Sequence, residues 1–239
     1  LPKITHFSCI LLLSTRGSLR VFNIGCGCNR FSLLFGIFEP KFTTLNLRLF
    51  LIMIFWIVQG FTQGTLSLKV GKEFFTLHRK YPTPSGDSLK VDQFKFYLGD
   101  ISGNYHLVDL EDTATMRLPF WGEAWAIGMD SAANTSGNLD GAFDPLLGMY
   151  WAWNTGYIQL KVVGTFFHEQ QWNPFEYHIG GYRAPYLTHQ KIQRKHLQHV
   201  IELHLDPLFA ALPLEKHPKI MLPGAEALRI HQAFAACFE

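Results

Sequence analysis

Apolar and polar residues alternate with a period of two along much of this chain, and that pattern most limits what it can fold into. Side chains of an extended segment point to opposite faces in turn, so an alternating segment buries one face and wets the other. Ile158, Leu160 and Val162 alternate with Tyr157, Gln159 and Lys161, and Phe94-Lys95-Phe96-Tyr97-Leu98 separates its positions in the same way. Further strands are expected at 67–78, 104–110, 123–129, 175–180 and 198–205. Turn clusters divide them, among them Pro82-Thr83-Pro84-Ser85-Gly86-Asp87 and Asn134-Thr135-Ser136-Gly137-Asn138. Short strands without long helices between them predict an all-β fold, an antiparallel β-sandwich or barrel. The end differs: Ala225 to Ala236 is rich in good helix formers after Pro223-Gly224, which predicts a short C-terminal helix packed on the sheets.

With 239 residues, 48% of them hydrophobic, the chain can bury a sizeable core. Residues 49–58 are ten consecutive apolar residues, preceded by Lys41 and Arg48 and followed by Gln59-Gly60-Phe61-Thr62-Gln63-Gly64. This reads as a signal peptide over 45–62. A buried strand or core helix is the competing reading, whereas ten residues are too few to cross about 30 Å of hydrocarbon, so no stable membrane span is expected. No lipobox cysteine follows the run. An export signal has little upstream of it, and the first methionine is Met53, so residues 1–44 read as an over-extended translation rather than a structured domain. Residues 63–239 contain no repeat or linker and are expected to form one domain.

From Gln63 onward there are 15 Lys and Arg (21 minus 6) against 18 Asp and Glu (19 minus 1), a balance without the basic footprint of a nucleic-acid partner. Cys237 alone remains in this segment, so it forms no intramolecular disulfide, and Cys26-Gly27-Cys28 lacks the second pair of a metal motif. Ten histidines are left, and imidazole suits copper. His106 shares a strand face with Val108 and Leu110, and His178 shares one with Glu176. A strand histidine more commonly bonds a backbone carbonyl than a metal, so both roles stay open. Trp151 and Trp153 share a face with Met149, where aromatic bulk can also simply close one end of a sandwich. Asp130, Asp140 and Asp144 match no EF-hand spacing, and Met221, just ahead of the helix start, reads as core. No G-x-S-x-G, no H-E-x-x-H and no phosphate-cradling loop occurs in this segment, and absence of these motifs does not exclude catalysis.

Four segments carry a family resemblance: the aromatic and turn run from Gly141 to Ile158, Tyr177-His178-Ile179-Gly180-Gly181-Tyr182, the stretch from Gly128 to Gly137, and Tyr105-His106-Leu107-Val108-Asp109. Together they resemble the MbnP-like family of exported copper-binding proteins, from about Thr65 to the C-terminus. The resemblance implies a β-sandwich exported to the periplasm, cell envelope or medium that captures or delivers copper, as Cu(I) or Cu(II). It implies His178 as the first metal ligand and His106 as the second, with affinity falling as the histidines protonate. Certain relatives carry a tryptophan oxidised to kynurenine whose new amine approaches the copper, a change attributed to a di-haem partner, which makes Trp151 and Trp153 candidates. The chain departs from the pattern at Asn134, where some relatives have histidine, and lacks the cysteine that some of them carry after the segment matched by Tyr182. The alternative reading is a carbohydrate-binding or adhesion sandwich that stacks sugars on Trp151, Trp153, Tyr150 and Tyr157. A purely structural envelope protein is a third. Tryptophans pointing inward favour copper; tryptophans on an exposed flat patch favour sugar.

Overall fold

The computed structural model describes residues 9–15, 18–24, 64–83, 86, 88–100, 102–118, 124–151, 156–193 and 200–238. The proposed signal segment and Trp153 lie outside them. The chain divides into two units, Leu1–Trp56 and Ile57–Glu239. In the first, β1 (Cys9–Thr15) and β2 (Ser18–Ile24) form an antiparallel hairpin.

The second unit carries the strands β3 (Gly64–Val70), β4 (Glu73–Phe74), β5 (Lys80–Pro82), β6 (Ser88–Asp100), β7 (Tyr105–Asp109), β8 (Arg117–Leu118) and β9 (Ala124–Ile127). It continues with β10 (Tyr150–Trp151), β11 (Gly156–Tyr157), β12 (Leu160–His168), β13 (Gln171–Ile179), β14 (Gln190–Gln193), β15 (Val200–His204) and β16 (Lys219–Ile220). Among the described residues three α-helices accompany them: α1 (Ser131–Asn134), α2 (Asp206–Ala211) and α3 (Ala225–Ala235). No helix among the described residues is long and apolar enough to cross a membrane.

An eight-stranded sheet runs in the order β14-β9-β6-β12-β13-β16, with β5 and β7 also paired to β6; a four-stranded sheet has the order β15-β3-β4, with β8 paired to β3. The thirteen-residue β6 is the spine of the larger sheet because its alternation is sustained. Phe94, Phe96 and Leu98 point into one core with Val162 and Tyr177 of the same sheet, Leu66, Leu68 and Leu203 of the smaller sheet, and Leu208, Ile230 and Phe234 of the helices. Phe96 and Phe234 meet edge to face at 4.9 Å, a favourable geometry for aromatic pairs. Each of these buried side chains contributes roughly 1.5–3 kcal/mol.

The structure is therefore an all-β sandwich with a short C-terminal helix, as the alternation predicts. Its pairing is not purely antiparallel: β15 runs parallel to β3, and β16 parallel to β13. The strand expected over 67–78 stops at Val70, where Gly71 turns the chain at φ 57° into the short β4. The helix expected from Ala225 runs to Ala235, followed by a 3-10 turn over Ala236–Phe238.

The opposite face of the larger sheet is covered in part by a second cluster. Tyr97 and Leu107 of the sheet pack there with Met129, Met149, Trp151, Tyr157 and Ile158. The last five come from residues 128–151 and 156–158, which fold back over the sheet because they carry that aromatic and apolar density.

Candidate metal centre

His178 sits near the end of β13. Its register partner on β12 is Lys161, which pairs with Lys95 on β6, which pairs with Asp109 on β7. These four residues therefore form one row across one face of the sheet. His106 lies three positions before Asp109 on β7, so its side chain leaves the other face, opposite Leu98. Two imidazoles on opposite faces, separated by three strand spacings or roughly 14 Å, do not converge on one ion. The structure places each at its own location and does not bring them together. A strand sequence shows which of its residues share a face; it does not show how the faces of β7 and β13 align through two intervening strands.

His106 is occupied structurally. Its Nε2 donates to the carbonyl oxygen of Thr115 at 2.6 Å, tying β7 to the 3-10 turn Thr113–Met116. His178 is different. Its side chain is 9% exposed, and its Nε2 lies 3.1 Å from Oε1 of Glu176. That approach falls outside the hydrogen-bonding direction, and neither ring nitrogen has a hydrogen-bond partner. Burial pulls the imidazole down to about 4, the Lys161 charge adds to this, and Glu176 opposes it. At neutral pH the ring is thus uncharged and keeps a lone pair for a metal. The other oxygen of Glu176 meets Nζ of Lys219 at 3.1 Å. Lys161 is itself held below the usual lysine range, by burial and then by Lys95.

Trp151 packs on Gly180, two residues after His178. It is 1% exposed, and the ring edge covers Gly180, where an added Cβ would stand 2.8 Å from Trp151 Cη2 and Cζ3. Only glycine admits the indole this close to the backbone. The hairpin of β10 and β11 pairs Trp151 with Gly156 and Tyr150 with Tyr157. Tyr157, 3% exposed, is turned inward, and its hydroxyl reaches the carbonyl oxygens of Asn138 and Phe143 at 2.8 and 2.9 Å. Trp153 lies outside the described residues.

Two polar residues that the sequence left unassigned hold this region. Asn134 is buried and accepts from the Tyr157 amide at 2.9 Å, while its Nδ2 has no partner. Gln159 is buried too, and its Oε1 accepts from the Met129 amide. Asp130 caps α1 by accepting from Ala133 N at 2.7 Å, and this bond holds its carboxyl below the usual range. The alternation gave no signal for Gln159, because it places that residue with Tyr157 and Lys161 on the face expected to be wet, whereas the folded-back 128–151 segment buries it.

No group of three or more His, Cys, Asp and Glu is arranged to hold a metal ion among the described residues. Among the described residues, the donor of these types beside the His178 imidazole is the Glu176 carboxylate. A neutral buried imidazole with unpartnered nitrogens next to a carboxylate fits a copper ion chemically.

The family model MbnP matches residues 63–222. Among solved structures, MbnP from Methylosinus trichosporium is similar with 12% sequence identity and a TM-score of 0.39, covering 62% of this chain and 76% of that one. The comparison with curated proteins finds no match.

Proposed function

The chain belongs to the MbnP family, and from that premise we propose that it is an exported, non-enzymatic copper-binding protein that captures or delivers the ion. Copper is its cargo. His178 is the principal donor, and Trp151, which packs on Gly180 two residues after His178, is the tryptophan we assign to oxidation to kynurenine by a di-haem partner. Trp153 shares that candidacy by sequence.

One observation carries this reading over the sugar-binding one. Trp151 and Tyr157 of the hairpin are buried, with Trp151 packed on Gly180, two residues after His178. A stacking platform for sugars needs flat rings open to solvent, and neither Trp151 nor Tyr157 is open. Export rests on the apolar run at 49–58.

The test is copper titration of the full chain and of His178→Ala, with intact mass of protein from its native host. The parent is expected to bind one copper ion and His178→Ala to lose most of that affinity at unchanged far-ultraviolet circular dichroism. A tryptophan-to-kynurenine change replaces one carbon by one oxygen in the mass. Undiminished copper binding by a folded His178→Ala protein refutes the assignment of the donor.

A further inference from the structure

We propose that Glu176 is a direct metal ligand beside His178, and that this mixed imidazole and carboxylate pair takes copper in the Cu(II) state. The inference rests on the reading of His178 as the donor and adds the second ligand and the oxidation state.

Glu176 and His178 are two positions apart on β13, so both side chains leave the same face. The 3.1 Å approach of Oε1 to Nε2 is not a hydrogen bond, since Nε2 has no partner by geometry. A buried imidazole nitrogen left without a partner costs stability, and a site for an ion accounts for that cost. At 34% exposure against 9% for His178, Glu176 is the more open of the two. An ion arriving from solvent meets the carboxylate first and reaches Nε2 by taking the carboxylate as a ligand.

The donor chemistry selects the ion. Soft thiolate and thioether ligands favour Cu(I), whereas a carboxylate oxygen with imidazole suits Cu(II). No cysteine lies in this row: Cys237, the single cysteine after residue 62, belongs to the core between the sheets. Two cations modulate the site. Lys219 holds the second carboxylate oxygen at 3.1 Å and competes with the ion for it, and Lys161 adds positive charge opposite His178 in register.

The experiment uses the full chain with aqueous Cu(II), and separately Cu(I) under anaerobic competition, on the parent, E176Q, K219M and His178→Ala. E176Q keeps the side chain's size and removes its charge; it is expected to weaken Cu(II) binding at least about tenfold and to shift the Cu(II) electron paramagnetic resonance spectrum toward weaker oxygen donation. Cu(I) affinity is expected to stay within about threefold of the parent, since a carboxylate adds little for the softer ion. K219M removes the competitor and is expected to tighten Cu(II) binding up to about fivefold, the scale of a partly exposed ion pair. E176Q that binds Cu(II) as the parent does, with an unchanged spectrum, overturns the proposal. If His178→Ala binds Cu(II) undiminished, the donor assignment fails instead; if it loses copper while E176Q does not, only the role of Glu176 fails.

Discussion

Acid should weaken this fold through His231, and the size of the effect follows from where that residue lies. His231 sits on the inner face of α3 at 1% exposure, and its Nε2 has no hydrogen-bond partner among the described residues. Its surroundings are fixed by Gly128, which takes φ 76° and whose added Cβ would stand 2.2 Å from the Thr188 carbonyl oxygen and 3.3 Å from His231 Nε2. Burial pulls the imidazole from 6.5 down to about 4, and His189 adds to this. In the unfolded chain the ring protonates at about 6.5. Between those two values the unfolded state binds more protons than the native state, so stability falls as the pH falls from about 6.5 toward 4 and stops falling on this account below it. A separation of roughly 2.5 pH units at 1.36 kcal/mol each gives a loss of about 3 kcal/mol. Urea unfolding of the parent and of His231→Gln at pH 7 and pH 4 measures it. His178, whose imidazole is lowered in the same direction, contributes equally to both proteins, so the difference isolates His231. The parent should lose about 3 kcal/mol more than His231→Gln over that interval, at an unchanged denaturant slope. Equal losses in the two proteins would refute the reasoning.

Two further outcomes test the packing. Gly180→Ala places a methyl 2.8 Å from Trp151 and 2.7 Å from the Tyr157 carbonyl oxygen, and should cost about 1–3 kcal/mol by overpacking and shift the tryptophan emission; unchanged stability and emission would mean that Trp151 does not lie on Gly180. The Cys237 thiol is pushed up to about 12 by burial, so iodoacetamide at mild alkaline pH should leave it unmodified in the native protein and alkylate it in denaturant, as read by peptide mapping. Ready native modification at Cys237 would contradict its burial in the core.

Sequence and fold contribute differently at the candidate site. The pairing of His178 with Glu176 was readable from their spacing alone, because a period of two puts both on one strand face. That His106 belongs elsewhere was not readable. Its relation to His178 depends on the registers of β7 with β6, β6 with β12 and β12 with β13, and a one-residue slip in any of them reverses the face. The inward turn of Trp151 was likewise undecided by the sequence, since a residue in a two-stranded hairpin faces wherever the surrounding loop packs.

Local pattern by itself determined the all-β class, the positions of β3, β6, β7, β9, β12, β13 and β15 and the C-terminal helix, because alternation and helix propensity act over a few neighbouring residues. Family motifs added the expectation of copper and singled out His178. Only the tertiary structure decided the parallel edges at β15 and β16, the row that runs from His178 to Asp109, the lysines that flank Glu176 and the burial of His231. Those are relations between residues distant in the chain, and they depend on how sheets pair and pack once non-local contacts offset the entropy of closing the loops between them.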